Sequence, residues 1–193
     1  LHRQSRHVQA GMRYASSIQD AFLPTAENMR KNLDYFLIFK PKEIVSGDFY
    51  FYAPVRNAMG AITKHVLAVV DCTGHGVPGA FMSMLGSRLL NEIVAEKRIS
   101  DPSRILEMLD EGVMKQLKQK SNENNDGMDV AICTIEKQTT GNSLVTFSGA
   151  RRPIFTYSVN KGQLSQIKGE RRPIGGTQFS EYRIDFVNHK FIL

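Results

Sequence analysis

The stretch "KHVLAVVDCTGHGVPGAFM", residues 64–82, constrains the fold of this chain more than any other. Val66 to Val70 are apolar without interruption, so the segment reads as a strand with both faces covered, central in its sheet. The run stops on Asp71 and passes through Gly74, His75 and Gly76, and Pro78 then stands where a first helical turn would begin. The unit is a strand, a flexible loop and a helix, with a carboxylate at the strand end. An ionised carboxylate in that place needs a partner, because desolvating it alone is costly. Two readings are open. Asp71 caps the coming helix or the glycine turn, or it is a metal ligand, fixed by the strand beside a loop that exposes main-chain carbonyls. Oxygen donors of that kind suit Mg²⁺ or Mn²⁺. The lysine of a phosphate-binding Gly-x-x-x-x-Gly-Lys-Ser/Thr loop is absent. His75 reads either as a general acid or as a residue that structures the loop.

A second acid, Asp48 in "VSGDFYFY", also follows a glycine and opens a run of alternating aromatics. Alone it is a weak signal. Paired with Asp71 on a neighbouring strand, it would let two divalent ions ~3.5–4 Å apart be bridged and a bound water be activated at neutral pH.

Around these acids the chain alternates between strand and helix patterns. Val8, Met12, Ala15, Ile18 and Phe22 predict one helical stripe, ended by Pro24. The stripe packs on its own domain or on a second copy. Residues 34–41 and 48–55 predict strands, joined by the turn 40–47, and residues 56–64 form a loop before the central strand. Phe81, Leu85, Leu89 and Ile93, with Met84, predict a helix from Gly79 to Lys97. A second helix covers residues 100–120, with Ser100 or Asp101 as cap, Pro102 in its first turn and Ile105, Leu109, Val113 and Leu117 on one face. After the polar loop 121–127 come predicted strands at 128–136, 143–150, 153–159, 163–168 and 181–193. Two strand groups flanking two adjacent helices predict an α+β fold with a largely antiparallel sheet, not a doubly wound one.

Composition removes several function classes. No window approaches the ~20 apolar residues of a membrane span. Cys72 and Cys133 stand outside any Cys-x-x-Cys pair, which argues against a zinc site and a disulfide framework. The net charge of +6 comes from scattered residues, with no recognition motif for nucleic acid.

Five segments, "SGDFYFY", "VVDCTGHGVPGAFMSMLGSRLLNEIV", "DGMDVAICTIE", "FSGARRPIF" and "RRPIGG", occur in this order. Together they resemble the bacterial SpoIIE-type branch of the metal-dependent protein phosphatases (the PPM superfamily), over essentially the whole chain. "YASSIQDAFLP" is similar to the linker that precedes such a domain when it follows a sensor module. The resemblance implies an αββα sandwich, incomplete at its C-terminus, divided into a helical linker over 1–32 and a phosphatase domain over 33–193. It implies hydrolysis of phosphoserine or phosphothreonine with Mn²⁺ or Mg²⁺, two ions in the complete domain. By position, Asp48 and Asp71 become carboxylate ligands and Cys72 lends its main-chain carbonyl; the candidate catalytic residues are then Asp48, Asp71 and, from its place in the glycine loop, His75. Arg151 or Arg152 would meet a phosphoryl group, the other being surface charge. The family pattern continues with two further metal-binding acids, whereas this sequence stops at "NHKFIL". The expectation is therefore a truncated piece of poor metal affinity, inactive by itself. Asp126 and Asp129 match an earlier strand and are expected to be site-edge or loop acids.

The implied partners are a phosphoprotein of the anti-anti-sigma kind and a second copy, paired through the N-terminal helix or exposed sheet edges. The implied location is the cytoplasm, as part of a larger sensor protein. The alternative is a non-catalytic output module with the same fold.

Overall fold

The computed structural model describes residues 2–176 and 185–193. Its centre is a five-stranded antiparallel sheet in the order β1-β2-β3-β4-β7. The strands are β1 (Phe49–Arg56), β2 (Ile62–Cys72), β3 (Met128–Lys137), β4 (Ser143–Ala150) and β7 (His189–Ile192). As expected from the uninterrupted apolar run, β2 lies inside the sheet, but only one of its faces is covered, and Val69 on the other is exposed. A separate two-stranded ribbon pairs β5 (Ile154–Ser158) with β6 (Gln163–Ile167). The expected α+β class with antiparallel sheets is thus observed.

Period-two alternation sorts the sheet into two faces. Val66, Ala68 and Val70 of β2 and Val130 and Ile132 of β3 are buried. They share a core with Leu90 of α3 (Gly76–Asn91) and Ile105, Leu106 and Leu109 of α4 (Pro102–Gln116). Asp101 caps α4 by accepting the Arg104 N–H at 3.0 Å, and Pro102 occupies the first turn where no amide donor is needed. A π-helical turn, Glu92–Glu96, extends α3.

Three sequence expectations change. Residues 34–41 form no strand, and Phe36 and Ile38 are exposed. Their local β preference finds no partner, because β1 pairs only with β2. The buried face of α3 and its π-helical extension is also broader than the predicted stripe, keeping Leu89 and Ile93 but losing Phe81. Met82, Leu89, Leu90, Ile93 and Val94 are buried while Phe81 is exposed, since the helix packs against the sheet and α4 together. Finally, the last predicted strand begins only at His189. Residues 181–184 of that prediction lie outside the described residues.

The N-terminal helix α1 (His2–Phe22) forms as expected, followed by the short α2 (Ala26–Arg30). It docks through a polar residue. The Gln19 side-chain amide donates to the Ser46 carbonyl at 2.5 Å and to Ser83 Oγ at 2.7 Å, and its oxygen accepts the Ser46 N–H at 2.9 Å. Val8, Ile18 and Phe22 of the apolar stripe stay exposed. No helix among the described residues is long and apolar enough to cross a membrane.

Candidate metal-dependent active site

Strand register brings the two sequence-nominated acids together. Phe49 pairs with Val70, which sets Asp48 beside Asp71 on the face away from the helices. Asp71 in turn faces Asp129 across β2 and β3. Three carboxylates therefore stand in a row on adjacent strands. Like charges directly opposite are unfavourable, and the row shows it. Burial raises the Asp48 carboxyl above its ordinary range, and a hydrogen bond to Asp71 and the charge of Asp71 raise it further, against the opposing pull of Arg152. Burial likewise raises Asp129, opposed by Arg151 and Arg152 and reinforced by Asp71.

Close glycine packing shapes the corner beside Asp48. A Cβ on Gly47 would lie 2.7 Å from the Gly74 carbonyl oxygen and 3.5 Å from that of Cys72. Only a residue without a side chain lets the loop after β2 approach so closely. Both main-chain oxygens thereby face the residue next to Asp48. The Cys72 side chain points into the core, where burial pushes its thiol far above the ordinary range. Its sulfur is thus withdrawn from chemistry, and its carbonyl is the part near the acids.

His75 is engaged by a residue outside the row. Its Nδ1 contacts Glu43 Oε1 at 2.5 Å, and the pair straps the loop ahead of α3. Glu43 carried no signal in sequence. Thr73 anchors the other side of that loop: its hydroxyl donates to Asp126 at 3.0 Å and accepts the Gly127 N–H at 3.0 Å. Asp126 is thus a loop acid, as expected, while Asp129 belongs to the row itself.

Arg152, in the turn between β4 and β5, forms an ion pair with Asp71, and its Nε lies 3.8 Å from Asp129. Arg151 Nη1 lies 3.9 Å from the other Asp129 oxygen. Asp71 separates two hollows. One is a groove of about 800 Å³ lined by Asp48, Val69, Cys133, Arg152 and Phe155. The other is a pocket of about 230 Å³ lined by Thr73, Gly127, Asp129 and Arg151. The "RRPIGG" motif serves the scaffold: buried Arg172 pairs with Asp110 of α4 and stacks on Phe186, 4.9 Å from the ring centre.

Among the described residues, no group of three or more His, Cys, Asp or Glu side chains is arranged to hold a metal ion. The donors that do converge, two carboxylates and the nearby carbonyls of Cys72 and Gly74, are all oxygen, the set hard divalent cations take. They fit one side of such a site.

Comparison with known proteins agrees with this geometry. The profile of the family Stage II sporulation protein E (SpoIIE) matches residues 63–192. A search of curated proteins returns no match. Among solved structures, the SiaA-PP2C domain of Pseudomonas aeruginosa is similar over 100% of this chain and 70% of its own, at 28% identity and a TM-score of 0.80. The PP2C phosphatase domain of SpoIIE from Bacillus subtilis, with a fragment of its regulatory domain, matches at 17% identity and a TM-score of 0.51, over 76% of this chain and 38% of that one. A structure of the RsbU and RsbW domains of a Mycobacterium tuberculosis protein matches at 18% identity and a TM-score of 0.50, over 79% and 37%. The last two speak for the fold alone. With a family profile across two-thirds of its length and the acid row at the strand ends, the chain belongs to the SpoIIE-type PP2C (PPM) phosphatase family.

Proposed function

We propose that this chain is the phosphatase domain of a bacterial signalling protein, hydrolysing phosphoserine or phosphothreonine in a partner protein with Mn²⁺ or Mg²⁺. The observation that carries the reading is the convergence of Asp48 and Asp71 on one corner of the sheet. In this reading those two carboxylates and the Cys72 carbonyl are metal ligands. A bound divalent cation would supply an activated water and neutralise charge developing on the phosphoryl group. The chain's own contribution is positional: β1 and β2 hold the acids rigidly, and the Gly47–Gly74 contact brings main-chain oxygen to the same corner. Arg151 and Arg152 stand where a phosphoryl oxygen would be met by charge-assisted hydrogen bonds. His75, tied to Glu43, keeps the loop in place, and this contact supports the structuring role over the acid role.

Residues 1–32 are proposed as a linker and 33–193 as the catalytic domain, with the exposed Val8, Ile18 and Phe22 of α1 pairing with a second copy. On the family match, the proposed substrate is a phosphoprotein of a partner-switching system, of the anti-anti-sigma kind, and the proposed location is the cytoplasm. The test is Mn²⁺-dependent release of phosphate from an aryl phosphate by the full-length protein, wild type against Asp71→Asn. Turnover is expected to fall at least ~100-fold in the variant, with an unchanged circular dichroism spectrum. Equal turnover would remove Asp71 from the site.

A further inference from the structure

Three carboxylates side by side need a counter-charge; Arg151 and Arg152 both face Asp129, and Arg152 is the one that reaches Asp71. Arg152 pairs with Asp71 and reaches within 3.8 Å of Asp129. The backbone that delivers it is pinned. A Cβ on Gly149 would lie 2.2 Å from the Arg152 carbonyl oxygen, and one on Gly169 would lie 2.6 Å from it. Arg151, just before it, holds a left-handed φ of 60°, a conformation that is strained for a non-glycine residue and persists only where its surroundings enforce it. Pro153 follows. The turn is therefore built to hold residue 152 at one place, leaving its side chain as the movable part.

We propose that Arg152 is a resident counter-ion of the acid row, which a divalent cation must displace from Asp71 in order to bind. This rests on the metal-site reading above. The guanidinium and the cation compete for the same carboxylate oxygens, so a cation enters only as Arg152 lets go of Asp71. Anchored by its turn, the released guanidinium remains in the groove it lines, where its planar fork suits a phosphoryl group. Cation entry and the freeing of an anion-binding arm are then a single event, which keeps the arm sheathed until the acids are occupied.

The experiment is calorimetric titration of the full-length protein with Mn²⁺, comparing wild type, Arg152→Met, Arg151→Met and Asp71→Asn. Arg152→Met is expected to bind Mn²⁺ about 10-fold more tightly than wild type, the loss of one competing charge pair of ~1.4 kcal/mol. Arg151→Met removes the same charge next door and is expected to change affinity by less than ~3-fold. The upward shift in melting temperature on adding Mn²⁺ should also be larger for Arg152→Met than for wild type. If Arg152→Met binds no more tightly than wild type while Asp71→Asn loses binding, the displacement idea fails and the metal site stands. If Arg151→Met gains as much as Arg152→Met, net charge explains the effect and displacement is again refuted. If Asp71→Asn binds Mn²⁺ as wild type does, the metal-site reading itself falls and this proposal falls with it. Should Arg152→Met fail to fold, Arg152→Gln, which also removes the charge but keeps a polar end, carries the same comparison.

Discussion

The two faces of the central sheet are made by alternate residues of the same strands, yet they are organised on opposite principles. On the helix-covered face, Val66, Val70 and Val130 are fully buried against Leu90, Ile105 and Leu109. On the other face, between those same residues, Val69 is 63% exposed and Asp71 stands in a row of acids. The first face holds the fold through apolar burial, which tolerates no vacancy. The second carries charge at the strand ends, and its arrangement opposes stability. Separating the two jobs by one residue along β2 lets the covered side bear the cost of the side that does chemistry.

Substitutions on the two faces should therefore differ sharply in effect. The largest loss is expected from Asp110→Ala, which takes a carboxylate away from the buried Arg172 guanidinium and removes the acceptor for the Gly175 N–H. Breaking such a pair costs about 3–5 kcal/mol, readable by urea denaturation. Leu109→Ala, also on the covered side, should cost roughly 2–5 kcal/mol by opening a cavity, and a loss below ~1 kcal/mol would show that the helix layer is looser than described.

The acid row should show the opposite sign. The folded state raises the Asp48 carboxyl above its unfolded range. Native protein therefore binds the extra proton, and this contribution to stability is present at low pH and lost as pH rises through the folded value. With divalent cations chelated, Asp48→Asn should be more stable than wild type at neutral pH, and the difference should vanish as pH falls below about 4. Denaturation curves at a series of pH values check this, and a constant difference would contradict it. The smallest effect is expected at exposed Val69: Val69→Thr should stay within ~0.5 kcal/mol of wild type in the same assay.

How legible each part was follows from how local its cause is. Asp71 was visible because an acid after an apolar run is conspicuous wherever it folds, and Asp48 because a second such acid opened an aromatic strand. Asp129 was read only as an edge or loop acid, since nothing in "DGMD" tells which residue of β2 it will face. Glu43, the strap on His75, had no signal at all, lying 32 positions away in an irregular turn. The residues 34–41 misled for the converse reason: their alternation is a real β preference, but a strand needs a neighbour as well as a propensity. Phe81 misled because a four-residue spacing describes a narrow stripe, and α3 buries a broader one.

From sequence alone came the α+β class, the interior place of β2, a cap at Ser100 or Asp101 with Pro102 in the first turn of α4, and the acid at the strand end beside a glycine loop. Each of these depends on residues within a few positions of one another, where side-chain period and backbone freedom act directly. Only the tertiary structure decided that Asp129 joins Asp48 and Asp71 in one row, that Arg151 and Arg152 are the counter-charges, and that Gln19 is what fastens the first helix. Those depend on strand register and on turns meeting across the sheet, and register is set by the packing of the whole, which no single segment encodes.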